Sequence, residues 1–180
     1  VVQKGDQKER GLTQIKAIDT AYPLFGQLRL QTGADIATAL AAHDGRPSVV
    51  VETVLAEQLG ASIGDVVILG TKEFTLSDVI TYIPDSAGDG FGLGPRTIVY
   101  AADLDGSGLL GEGTLFSTKY RMVLPQGSDL AALADTAKAQ FEGAGVRWRD
   151  ATNAAPGVER FVDRLGSFLI LVGLAGLATG

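Results

Sequence analysis

An α+β fold running into the start of a transmembrane helix is predicted by three observations. Segments alternating apolar and polar residues recur as far as Leu124, one amphipathic helix follows Ser128, and Leu165–Gly180 carries no charged residue. Alternation is the mark of half-buried strands, and the 3.6-residue stripe that of a packed helix. An uncharged run longer than a surface helix tolerates belongs in lipid or in a large core.

The opening Gln3–Arg10 is polar and charged and reads as a flexible lead-in. Leu12–Ile18 alternates and predicts a strand, ended by the turn-prone Asp19-Thr20-Ala21-Tyr22-Pro23; Leu28–Leu30 predicts a second short strand. Ile36–Ala42 is Ala-rich and predicts a short helix, with Asp35 at its start where a carboxylate suits the dipole. Ser48–Val51 is a β-branched run that leads into a helix over Glu52–Leu59, stopped by Gly60. The stretch from Ile63 to Ile83 has the rhythm of a β-hairpin or small barrel, and its alternation slips near Asp78, which predicts a bulge. Pro84–Pro95 is a loop, Arg96–Tyr100 a strand, and Asp103–Gly113 a turn-rich segment. Residues 47–114 are therefore bracketed as a compact β-rich insert.

A β-α-β unit is expected next. Thr118–Leu124 alternates in part, Ser128 caps a helix with Leu130, Leu133, Ala137 and Phe141 on one side, and Val146–Arg149 is the second strand. Asn153–Gly157 is the hinge to the last helix, which is amphipathic up to Leu165 and apolar all round after Gly166. A helix over Leu165–Gly180 rises roughly 24 Å at about 1.5 Å per residue, short of the ~20 residues a bilayer needs. The chain begins without Met and stops inside this run, so the expectation is the water-facing piece of a membrane protein. A buried helix of a larger core is the alternative.

Composition narrows the chemistry. The 180 residues hold 21 acidic and 15 basic side chains, a net charge of −6, with no basic cluster to meet nucleic acid. Cysteine is absent, which removes disulfides, thiolate metal sites and cysteine nucleophiles. The one histidine, His43, lies in a polar Asp-Gly loop and reads as a turn residue. Asp103-Leu-Asp105-Gly-Ser107-Gly108-Leu-Leu110 imitates a calcium loop, but Thr114 stands where the bidentate glutamate belongs and Glu112 falls two places early. Gly88-Asp-Gly90-Phe-Gly92-Leu-Gly94 lacks the Lys-Ser/Thr of a phosphate loop. Phe91 and Leu93 are candidate substrate or partner contacts at its apolar tip, the alternative being that they tuck inward. No catalytic residue, metal ligand or cofactor site is expected.

With these segments placed, the chain resembles the FtsX/MacB-type ABC transporter permeases, in particular the YbbP-like branch associated with lysophospholipase biosynthesis. The likeness is carried by Ile18-Asp-Thr-Ala-Tyr22-Pro23-Leu-Phe-Gly26, Val49-Val-Val-Glu52, Ile63-Gly64-Asp65-Val, Gly94-Pro95-Arg96 with Ala102-Asp-Leu104, Tyr120-Arg121, Arg149-Asp150-Ala151 and the helix from Arg160. Tyr22, Pro23, Gly26, Gly64, Asp65, Gly94, Pro95 and Arg96 are its structural markers. The resemblance implies a porter-like α+β part, residues 1–46 and 115–157, interrupted by the β-rich part at 47–114. Residues 158–180 would then be an amphipathic helix entering a truncated transmembrane helix. It implies a domain on the outer, periplasmic face of a bacterial cytoplasmic membrane, moved by a separate cytoplasmic ABC ATPase and without catalysis of its own. For this branch the implied role is extraction or export of hydrophobic, lipid-like molecules, with membrane lipid and a lysophospholipase or esterase as partners. A regulatory domain that binds and activates a cell-wall hydrolase is the alternative. Hydrolase activity in the domain itself is a third reading, which the single histidine and absent cysteine disfavour.

Overall fold

In a computed structural model, residues 2–4, 9–84, 94–111 and 113–150 are described. Their strands are β1 (Val2–Lys4), β2 (Arg10–Gly11), β3 (Gln14–Ile18), β4 (Arg29–Leu30), β5 (Ser48–Glu52), β6 (Val66–Leu69), β7 (Lys72–Tyr82) and β8 (Arg96–Tyr100). The helices are α1 (Ile36–Ala39), α2 (Thr53–Leu59) and α3 (Leu130–Gln140), with a 3-10 turn at Ala101–Leu104. The fold is mixed α+β, as the alternation predicts. It divides into two compact units, Val1–Val123 and Leu124–Gly180.

All eight strands of the first unit form one sheet in the order β2-β1-β6-β7-β5-β8-β3, with β4 added on β7. β2 and β3 stand at opposite ends of that order, yet only Leu12 and Thr13 separate them, so the sheet is curled. Strands from both sides of residue 47 pair directly: Gln14 lies opposite Arg96, and Val2 opposite Leu69.

β5 is buried on both faces, which is why Ser48–Val51 reads as an unbroken β-branched run rather than an alternating one. Val49 and Val51 join Phe74, Leu76, Val99, Leu55 and Leu59 in the core inside the curl. Val50 faces the other way, with Ile18, Leu30, Leu40, Ile80 and Ile98. Asp35 caps α1 by accepting from the Thr38 N–H at 2.8 Å, and Gly60 ends α2 in the left-handed region. The bulge forms where the alternation slips: Val49 faces Leu76, and Val50 faces Asp78. Asp78 is buried there, its carboxylate accepting from the Val79 N–H at 2.7 Å, the Thr32 N–H at 3.3 Å and the Thr32 hydroxyl.

The described residues from Thr118 onward correct part of the expectation. α3 forms, but Asp129 rather than Ser128 is its cap, accepting from the Ala132 N–H at 3.0 Å, while the Ser128 hydroxyl turns back to donate to the Pro125 carbonyl. The strands expected at Thr118–Leu124 and Val146–Arg149 do not form among the described residues. Partial alternation supplies a face to bury, but a strand exists only when a neighbour completes its hydrogen bonds. No described helix is long and apolar enough to cross a membrane. The helix expected over 158–180, with its membrane-entering run, lies outside the described residues.

Candidate functional site

The loop that joins β3 to β4 is anchored inward at both ends and presents apolar side chains in between. Asp19 makes a tight turn at its start, its carboxylate accepting from the Ala21 N–H at 3.0 Å. Tyr22 and Leu28 pack against the outer core. Between them Leu24 is 38% exposed and Phe25 is 73% exposed. The Tyr22–Pro23 peptide is cis, and Gly26 has φ +75°. A Cβ on Gly26 would stand 2.7 Å from the Pro84 Cβ, so glycine is needed there for conformation and for room. After this close approach the chain enters β4, where Arg29 lies opposite Tyr82 and its carbonyl accepts from the Thr81 hydroxyl at 3.0 Å.

Two cations flank this loop, each over a tyrosine ring. The Lys16 ammonium is 4.5 Å from the Tyr22 ring centre and donates to its hydroxyl at 3.4 Å. The Arg29 guanidinium is 5.5 Å from the ring of Tyr82, itself 52% exposed. Such stacking fixes a long charged side chain beside an aromatic edge. Phe91 and Leu93, the tip contacts expected from sequence, lie outside the described residues.

The other marker residues are fastenings. The Gly64 N–H donates to the Leu76 carbonyl at 2.7 Å, and the Asp65 carbonyl accepts from the Leu76 N–H at 2.8 Å. The Asp65 carboxylate accepts from the Ser62 N–H at 2.8 Å and pairs with Lys4 at 2.9 Å. The Ser62 bond and the Lys4 ammonium hold its pKa below the usual 3.8. Gly94 comes close to the Leu12 carbonyl, the Pro95 carbonyl accepts from both the Gln14 N–H and the Thr13 hydroxyl, and the Arg96 N–H donates to the Glu52 carboxylate at 2.9 Å. Together these bonds tie the first residues of β8 to β3 and to the start of α2.

The chemical decoys resolve into structure. His43 and Arg46 bond each other across Asp44 and Gly45, both at positive φ, in a two-residue turn. His43 Nδ1 is 3.4 Å from the Ser48 hydroxyl, but that hydroxyl is buried and donates to the Ala41 carbonyl at 2.6 Å. The calcium-like loop receives an ammonium instead: Lys72 Nζ donates to the carbonyls of Asp103 at 2.7 Å and Asp105 at 3.1 Å. Ser107, which a calcium loop would turn toward the ion, is buried and donates to the Leu104 carbonyl. No group of three potential metal ligands occurs among the described residues. A groove of about 790 Å³ runs beside α2, lined by Thr53, Ala56, Glu57, Ile63 and Val79. A second concavity of about 440 Å³ lies against α3, between Phe141 and Trp148.

Sequence reasoning singled out Tyr22, Pro23 and Gly26 but passed over Leu24 and Phe25, the residues they hold outward. The available signal was two large apolar residues between a proline and a glycine, in a turn that has no strand or helix to bury them. Arg29, Tyr82 and Lys72 were passed over as well, because their partners are distant in sequence.

Comparison with known proteins gives one point of reference. The chain is 26% identical over 110 residues to the "Uncharacterized ABC transporter permease YbbP" of Escherichia coli strain K12, a match covering 61% of this chain and 13% of that protein. The chain therefore corresponds to a small part of that relative's length. No family model matches, and no solved structure matches. The similarity relates the chain distantly to ABC transporter permeases and supports nothing finer.

Proposed function

We propose that this chain is the extracytoplasmic domain of an ABC transporter permease, coupling ATP hydrolysis by a cytoplasmic partner to movement outside the membrane. Its cargo is hydrophobic or lipid-like, extracted from the membrane or exported, and a lysophospholipase or esterase works beside it. The domain acts mechanically and by contact, without catalysis. The distant similarity to a permease carries the reading. It is supported by the Leu24–Phe25 loop, which holds apolar side chains in solvent where a lipid-handling surface needs them.

The test uses the full-length permease that carries this chain. It should co-purify with an ABC ATPase, expose Lys119–Lys138 to protease only from the outer face, and release fluorescent lysophospholipid from liposomes in an ATP-dependent way. Failure to hold an ATPase, or cleavage from the cytoplasmic face, refutes the assignment.

A further inference from the structure

We infer that the Pro23–Gly26 loop docks on an anionic lipid surface, Leu24 and Phe25 entering the acyl boundary while Lys16 and Arg29 meet headgroup phosphates. The inference rests on the permease reading for the nearness of a bilayer, but its geometry is independent of it. Tyr22 and Leu28 are held in the outer core, so the loop does not need to reorganise to present its tip. Phe25 is 73% exposed at that tip. On either side stands a cation over a tyrosine ring, Lys16 on Tyr22 and Arg29 on Tyr82.

An apolar tip with tyrosine rings and basic side chains beside it supplies the groups that meet acyl chain, headgroup level and phosphate at a membrane interface. Size argues against a protein occupant. A phenylalanine buries about 250 Å² at most, which leaves a Leu-Phe tip well below the ~800 Å² per partner of a stable protein interface. Charge argues for an anionic surface met locally. The whole chain carries −6, so a broad face would be repelled, and only a small basic-flanked tip can approach.

The charged tail Arg160–Arg164 and the apolar run after it can hold the chain on a vesicle unaided, so the probe must report from the loop. Phe25→Trp supplies that probe, with the emission of native Trp148 in the unsubstituted chain subtracted. On phosphatidylcholine vesicles containing phosphatidylglycerol and brominated acyl chains, the added emission should shift to the blue and be quenched. On phosphatidylcholine alone it should change little. Arg29→Gln should weaken partitioning about fivefold on the anionic vesicles, and Leu24→Ser with Phe25→Ser by at least about tenfold. Circular dichroism checks the fold of each variant, and Leu24→Trp repeats the measurement if Phe25→Trp unfolds. Emission that stays unshifted while the chain sediments with vesicles overturns the proposal, and so does equal quenching on neutral lipid. Either result leaves ATPase co-purification untouched, so failure of this contact is distinguishable from failure of the permease assignment.

Discussion

Gly70→Ala tests how the calcium-like loop is docked. Gly70 and Thr71 form the two-residue turn between β6 and β7, with Leu69 opposite Lys72 and Gly70 at φ +64°. A Cβ there would lie 2.0 Å from the carbonyl oxygen of Ser107, a backbone atom in a residue with no exposed surface. The turn and the loop must therefore separate. Separation strains the bonds from the Thr71 N–H to Ser107, from the Thr71 hydroxyl to Gly106, and from Lys72 to Asp103 and Asp105. Left-handed backbone costs an alanine about 1 kcal/mol. Loss of two or three of these bonds adds about 1 kcal/mol each, giving a total of roughly 3–4 kcal/mol.

Gly60→Ala is the matched control, because Gly60 has φ +55° and nothing within 4 Å of its Cβ position. It carries the backbone cost without the collision and should lose about 1 kcal/mol. Urea unfolding of the full chain, followed by far-ultraviolet circular dichroism, compares the two. Equal destabilisation would refute the reasoning, since it would mean that the 103–109 loop does not rest on the hairpin.

Three further outcomes are expected. Asp78→Ala removes the acceptor for the Thr32 and Val79 N–H groups inside the bulge and should cost about 2–4 kcal/mol in the same urea assay, whereas Asp135→Ala on exposed α3 should cost less than about 0.5. Asp65 titrates below 3.8 when folded, so its contribution is fully present well above that value and is lost as pH falls through the folded-state pKa. Asp65→Asn should accordingly lower stability at neutral pH and flatten the acid limb of the stability profile. Because Lys72 donates to the carbonyls of Asp103 and Asp105, excess calcium should leave the thermal midpoint unchanged. A clear calcium-dependent rise in Tm would show that the loop prefers the ion to the ammonium.

Local pattern made much of the first unit readable. β7 could be drawn from Phe74 and Leu76, and the bulge from the slip before Val79, because a change of face leaves its mark on neighbouring residues. The curl of the sheet could not be read in this way. It depends on Gln14 meeting Arg96, a pairing between residues far apart in sequence that no short window contains. The flanks of α3 failed for the opposite reason: Tyr120, Met122 and Leu124 alternate well enough, but alternation is silent about whether a partner strand exists. Lys72 shows the same limit at the level of chemistry. Asp103–Leu110 has most of a cation loop's residue types, while the cation that meets it comes from a hairpin earlier in the chain.

The marker residues found by resemblance share a mechanical logic rather than a chemical one. Gly64 and Asp65 bind the turn before β6 to β7 and, through Lys4, to β1. Pro95 and Arg96 bind the start of β8 to β3 and to Glu52 at the head of α2. Gly26 closes the outward loop against Pro84 at the end of β7. The fastenings at Lys4, at Pro95 and Arg96 and at Gly26 join elements that are not consecutive in the chain, while Gly64 and Asp65 brace the β6–β7 hairpin itself. The loop that carries Leu24 and Phe25 is anchored on the same sheet by Tyr22 and Leu28. Glycine, proline and a well-bonded carboxylate serve at these positions to make close approaches and backbone bonds.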